Sequence, residues 1–133
     1  MDLEARFWEL CDKAARLEDL HGDCRAFERP MIEIIELVDA HPAHREMFVR
    51  CFEQVVLWQR HAPWSLAPFC MRRLRFPEIQ ELVHRDAKEH EGTAYYARHM
   101  NYWSDIMHAF DDVVWEDAVM WPYYTHELKA GAE

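Results

Sequence analysis

Glycine is scarce in this chain: there are three in 133 residues, alongside six prolines. An all-β fold needs turn residues at every hairpin, so the scarcity argues against one. Serine is scarcer still. Ser65 and Ser104 are the only two, and neither sits in the sharp strand-to-helix turn of a hydrolase nucleophile. No glycine-rich loop is present to cradle a phosphate. Lysine is limited to Lys13, Lys88 and Lys129, so the basic residues are nearly all arginine, the side chain suited to planar, paired hydrogen bonding. The four cysteines, Cys11, Cys24, Cys51 and Cys70, form no C-x-x-C and match no zinc spacing. Cys11, Cys51 and Cys70 fall on apolar helix faces, where buried free thiols of a reducing cytoplasm are expected. No apolar run approaches the roughly 20 residues that cross a bilayer. The opening "MDLEARFWEL" interleaves charges with apolar residues, unlike a secretory signal. A soluble cytoplasmic protein with no membrane partner is the expectation.

Half the residues are hydrophobic and 14% are aromatic, which favours a packed globule over a disordered chain. The formal net charge is −10. Phosphate neutralisation needs a basic surface, so direct nucleic-acid binding is not expected. A basic partner protein is.

Helical periodicity covers most of the chain. Leu3, Phe7, Leu10, Ala14 and Leu17 recur at spacings of four and three, with Asp2 as N-cap and Gly22 as stop. A second helix starts near Asp23 or Pro30 and is apolar on more than one side through Met31, Ile32, Ile34, Ile35, Leu37 and Val38, which suits a central position. Pro42 opens a third, with Phe48, Cys51, Phe52 and Val55 facing inward. Trp64–Phe76 reads as a short fourth helix, Pro77–Gly92 as a fifth carrying Ile79, Leu82 and Val83. Thr93 caps a sixth, with a stripe of Tyr96, Met100, Trp103, Met107 and Phe110. Asp111 or Asp112 caps a last helix to about Met120, closed by Pro122. The expected fold is all-α: a single-domain irregular bundle of six or seven helices, stacked as antiparallel hairpins, over residues 1–128, with a frayed tail over 129–133. Phe7, Leu10, Ile34, Ile35, Phe52, Val55, Leu82 and Trp103 should be core.

Few constellations carry chemistry. Glu18-x-x-His21 and Glu81-x-x-His84 each put a carboxylate and an imidazole on one helix face, as in carboxylate-bridged metal bundles. With fifteen glutamates and nine histidines, such pairs arise by chance, and His21 adjoins a helix-ending glycine. His41-x-x-His44 straddles a proline turn and fits a polar helix entry as well as a surface zinc. These residues give no catalytic set, no metal site and no cofactor.

Two segments contrast in charge. Gln54–Pro77 contains no Asp or Glu and carries Arg72, Arg73 and Arg75 late in a short helix, where cations suit the terminal carbonyls. "FDDVVWEDAVMWPYY" sets Asp111, Asp112, Glu116 and Asp117 among Trp115, Trp121, Tyr123 and Tyr124. Those arginines could pair with the acidic segment within one chain or across a homodimer. Trp and Tyr can anchor an interface while carboxylates steer a basic partner toward it; alternatively the acids line a helix start and the aromatics are core. The reading adopted is a non-enzymatic, acidic protein-binding module. Its concrete form is a stoichiometric inhibitor of a basic partner, of the immunity-protein, antitoxin or nucleic-acid-mimic kind. Its partner-binding residues would be Asp111, Asp112, Trp115, Glu116, Asp117, Arg72, Arg73 and Arg75. The alternatives are a helical metal-dependent enzyme using His and carboxylates, or a structural homo-oligomer.

Overall fold

Asp2 starts the first helix by accepting the Ala5 N–H on its side chain at 3.1 Å. In the computed structural model, which describes residues 1–21 and 24–132, this helix is α1, Leu3–His21. α2 follows at Cys24–Ala40 after a two-residue connection. So short a link returns the chain on itself, and α1 and α2 pack along each other as an antiparallel hairpin. The proposed stop at Gly22 and start at Asp23 lie outside the described residues. Pro30, the other proposed start, is inside α2 and buried. It costs a backbone hydrogen bond there, about 3 kcal/mol. The packing of Phe27, Met31, Ile34 and Ile35, all buried, offsets that cost and carries the helix through.

A 3₁₀ turn at Pro42–His44 leads into α3, Arg45–Val56. α4 is Leu66–Leu74, shorter than the expected Trp64–Phe76, with Pro68 in its first turn where a missing N–H is tolerated. α5, Pro77–Glu89, starts on its proline. Gly92 then turns with φ +77°, a conformation that favours glycine, and Thr93 Oγ1 caps α6, Ala94–Ala109, by accepting the Tyr96 N–H at 3.2 Å. α4 sits against α2 and α6, and α5 against α3 and α6. Among the described residues there is no strand, so the architecture is the expected all-α single domain.

Two expectations are corrected. The buried face of α6 is His99, Tyr102, Trp103, Ile106 and Ala109, not the stripe through Met100, which is half-exposed. Apolarity alone hid this face because two of its members are polar-tipped rings. His99 meets its polar requirement locally, donating from Nδ1 to the Tyr95 carbonyl at 2.8 Å. The last helix expected from Asp111 to Met120 is also absent. Residues 111–115 are irregular, Glu116–Met120 and Pro122–Tyr124 are 3₁₀ turns, and α7 is Thr125–Ala132, continuing past Leu128. Adjacent β-branched Val113 and Val114 disfavour a helix start, and the carbonyls of Asp111 and Val113 are taken by an arginine described below.

The core has two aromatic centres. Phe7, Phe52 and Phe76 meet edge to face, with centroids 5.1 and 5.9 Å apart. Phe69 gathers Trp121 and Tyr124 at 5.0 and 5.1 Å, and the Tyr124 hydroxyl donates to the Phe69 carbonyl. All eight residues expected in the core are buried. Phe52 is fully enclosed between α1 and the start of α5. Phe52→Ala should therefore cost about 3–5 kcal/mol in urea unfolding. A loss below about 1 kcal/mol would contradict its central position.

Candidate functional site

Arg72 closes the question raised by the arginine cluster. It lies in the last turn of α4 with its side chain almost wholly enclosed. Its guanidinium donates from Nε to both Glu127 oxygens at 3.1 and 3.0 Å, and from Nη2 to Glu127 Oε2 at 2.6 Å. The remaining N–H groups go to the carbonyls of Ala109 at 3.3 Å, of Asp111, and of Val113 at 2.7 Å. Glu127 Oε2 also accepts the Trp115 N–H at 3.3 Å. Burial pushes the Glu127 carboxyl up, but Arg72 and the Trp115 N–H outweigh it and hold it below the usual carboxylate range. One fork thus binds the end of α6, the irregular strap 111–115 and α7 to α4.

The neighbouring arginines are tied inward as well. Arg75, in the left-handed conformation at φ +50°, bonds Asp112 Oδ1 at 2.8 Å and the Asp111 carbonyl at 3.0 Å. Arg73 pairs with Asp39 of α2 at 3.1 Å. Basic and acidic segments therefore meet within one chain. Arg72 is committed to the fold, whereas Arg73 and Arg75 are partly exposed. Trp115 is also interior: it is 4% exposed and stands edge-on to Tyr124 at 5.1 Å. It belongs to the core and offers no exposed anchor.

What the strap exposes differs. Val113 and Val119 are about two-thirds open to solvent (68% and 70%), and Val114 and Met120 are half-exposed. Asp111, Asp112 and Glu116 are exposed beside them, with Asp117 half-buried. Asp111, Val113, Val114, Glu116 and Asp117 line a hollow of about 170 Å³. A smaller hollow continues from Asp117 and Met120 to Asp105 and Trp64. Burial raises the Asp105 carboxyl, the nearby Trp64 side chain partly reverses the effect, and Asp117 adds to it. Trp64 also borders a wider cleft of about 470 Å³ with Trp58, Glu18, Arg60, His61 and Tyr102. The hollows adjoin at shared lining residues, Asp117 between the first two and Trp64 between the second and third, as a furrow lined by carboxylates along the strap and by Glu18, Arg60 and His61 at its far end.

Trp58 and Trp64 are the functional candidates that periodicity missed. Both are half-exposed, with ring centroids 5.7 Å apart. Trp58 follows the C-cap Leu57 of α3 with φ +58°, where Trp58 N–H bonds the Val55 carbonyl and Gln59 N–H bonds the Gln54 carbonyl. This is the Schellman helix ending, whose left-handed residue is ordinarily glycine. The available signal was a tryptophan in "VVLWQRHAPW", where a helix stops without glycine.

The other constellations stay local. Glu81 and His84 are exposed, and the side chain of His21 lies outside the described residues. His41 Nδ1 donates to the Leu37 carbonyl at 2.9 Å. Asp86, Glu89 and His90 bring ligand-type atoms within 4.8 Å of one another. Existing bonds already account for two of the three: His90 Nδ1 donates to the Asp86 carbonyl at 2.8 Å, and Tyr95 O–H donates to Asp86 Oδ2 at 3.1 Å. Cys11, Cys51 and Cys70 are free and buried. Burial pushes the Cys51 thiol up to about 12, and the other two rise for the same reason, which keeps all three protonated and unreactive. Among the described residues, no helix is long and apolar enough to cross a membrane.

No protein-family profile, no curated protein and no solved structure matches this chain.

The Arg72–Glu127 tie generates a pH test. Because the folded Glu127 carboxyl is held low, its stabilisation is present above the ordinary carboxylate range and is lost as pH falls through the folded value. Glu127→Gln should cost about 1–3 kcal/mol near neutrality, since it leaves a buried guanidinium without its carboxylate. The gap between variant and wild type should shrink as the pH falls from about 7 to about 3. Urea unfolding at both pH values measures it, and a gap independent of pH would refute the tie.

Proposed function

We propose that this chain is a non-enzymatic binding protein whose furrow, acidic along the strap, takes a basic surface of a partner protein. The observation that carries the reading is the strap itself. The irregular strap held by a buried arginine exposes Val113 and Val114, and the 3₁₀ turn that follows it exposes Val119 and Met120, among Asp111, Asp112, Glu116 and Asp117. Apolar side chains set among like charges are the composition of a docking face that steers with charge and binds with buried area. The net charge of −10 extends the same field over the whole surface. A stoichiometric inhibitor, such as an immunity protein or antitoxin set against a basic toxin, is the concrete form. The partner-contacting carboxylates are Asp111, Glu116 and Asp117, with Asp112 partly neutralised by Arg75. Arg75 lies at the margin of the face through its Asp112 pair, and Arg73 is partly exposed and paired with Asp39. The cytoplasm, with its reducing conditions, is the compartment that suits buried free thiols.

The test is kinetic. Asp111→Asn, Glu116→Gln and Asp117→Asn combined keep shape and remove three charges, leaving the Arg75 pair intact. With the partner isolated from the native source by affinity capture, stopped-flow mixing should show association slowed by about tenfold or more at low salt. Salt dependence should be largely lost, because charges beyond the roughly 8 Å Debye length are already screened at physiological ionic strength. Unchanged association in a folded triple variant would remove this face from the interface.

A further inference from the structure

The middle hollow of the furrow has a lining unlike its neighbours. It measures about 80 Å³ and lies where α6, the start of α4 and the 3₁₀ turn 116–120 meet. The carboxylates of Asp105 and Asp117 and the hydroxyl of Ser65 line it, with Trp64, Met120 and Trp121 as its apolar wall. No Lys, Arg or His lines it, and among the described residues neither carboxylate has an ion-pair partner. The cleft beyond Trp64 differs, because Glu18 there stands beside Arg60 and His61.

Two carboxylates from separate segments thus share a small space without a counter-charge. Burial raises the Asp105 carboxyl and Asp117 raises it further, while the Trp64 side chain and His108, in the adjoining strap hollow, oppose. A cation between Asp105 and Asp117 would relieve their repulsion, and an anion would add to it. Indole rings in the wall favour a cation as well. Trp115 stands in the wall of both this hollow and the strap hollow. It is 4% exposed, and its indole N–H has no acceptor. A buried donor left unmet is a cost that an occupant carrying an acceptor removes.

These features choose among cations. A metal ion needs a third close-set ligand, and among the described residues a group of three occurs only at Asp86, Glu89 and His90. A guanidinium is a broad planar fork matched to one bidentate carboxylate, whereas an ammonium is a compact charge with three N–H donors. Two carboxylates and a hydroxyl from three segments suit the ammonium. The strap hollow, joined through Asp117 and Trp115, supplies Val113 and Val114 for a methylene stem. A lysine within a peptide also brings main-chain carbonyls, the kind of acceptor that Trp115 lacks.

We infer that the middle hollow is a lysine-binding subsite, in which the ammonium of a partner's lysine lies between Asp105 and Asp117. The inference deepens the proposed function and rests on it for the identity of the partner. The preference of the hollow can be tested without that partner.

The probe is a blocked tripeptide, acetyl-Gly-Lys-Gly-amide, with arginine and Nε-acetyl-lysine versions as controls. Acetylation keeps the stem and removes the charge. Titrated into protein labelled with ¹⁵N-tryptophan, the lysine peptide should shift the indole N–H signals of Trp64 and Trp115 with a Kd of about 1 mM, a single-side-chain affinity. The arginine peptide should bind several-fold more weakly and the acetyl-lysine peptide not at all. Asp105→Asn should raise the Kd about tenfold, with the Trp8 and Trp103 indole signals in place to verify folding. Glu18→Gln, in the cleft beyond Trp64, should leave it unchanged. The peptide comparison uses the wild-type chain and decides the matter even if Asp105→Asn does not fold. No indole shift with the lysine peptide, equal shifts with acetyl-lysine, arginine binding as tightly as lysine, or an unchanged Kd in folded Asp105→Asn would overturn the subsite. Each of these results would leave the effect of the Asp111, Glu116 and Asp117 charges on association untouched, so failure here and failure of the docking face are separable.

Discussion

One buried guanidinium organises the C-terminal third of this protein. Removing Arg72 from water has a large desolvation cost, and the interior compensates only because every part of the fork is met: a carboxylate on one edge and three main-chain carbonyls on the other. Those carbonyls belong to the end of α6 and to the strap, and the carboxylate belongs to α7. The segment from 109 to 127 is therefore fastened to α4 chiefly by Arg72, with Arg75 and the Tyr124 hydroxyl adding lesser ties. With its backbone polar groups so engaged, residues 111–115 keep an irregular path that neither a helix nor solvent would otherwise stabilise. Lysine could not replace the fork, because a point charge with three donors lacks the planar geometry.

That fastening has a consequence for the surface. A helix beginning at Asp111 would turn part of its apolar residues inward. The strap instead presents Val113 and Val114 outward and sends Trp115 into the core against Tyr124. Exposed apolar and acidic side chains thereby lie together along the strap. Trp64, with Trp58 beside it, adjoins Asp117 and Met120 from a different part of the chain, the acid-free stretch between α3 and α4. The basic segment and the acidic segment, opposite in charge, are brought together by the fold, so the arginines neutralise part of the acidic segment while Glu116 and Asp117 have no arginine partner among the described residues.

The helices were legible in the sequence where burial follows an apolar stripe. Phe7–Leu10–Ala14 and Phe48–Phe52–Val55 have that regularity, and Asp2, Thr93 and Pro77 mark their starts by cap chemistry. Legibility fails where a polar group is buried with a partner far along the chain. Nothing local to Arg72 says that it will meet Glu127, fifty-five positions away, or that the encounter will unwind the expected helix at Asp111. The α6 face was misread for a related reason: His99 and Tyr102 are buried by their rings despite their polar atoms. The furrow was half legible. Its carboxylates were evident as a cluster, but which aromatic would stand exposed was not: Trp115 is interior, and Trp58 is held out by a backbone conformation that no periodicity encodes.

The role of Arg72 as the main tie of the strap is most directly tested by amide hydrogen exchange in Arg72→Lys. Lysine retains the charge and the helical propensity of α4 but cannot reach Glu127 and three carbonyls together. The account predicts lost protection at the Trp115 amide and through residues 116–127, with protection kept in α1, α2 and α3. Protection of the Trp115 amide equal to wild type, or a loss spread uniformly over all helices, would contradict it.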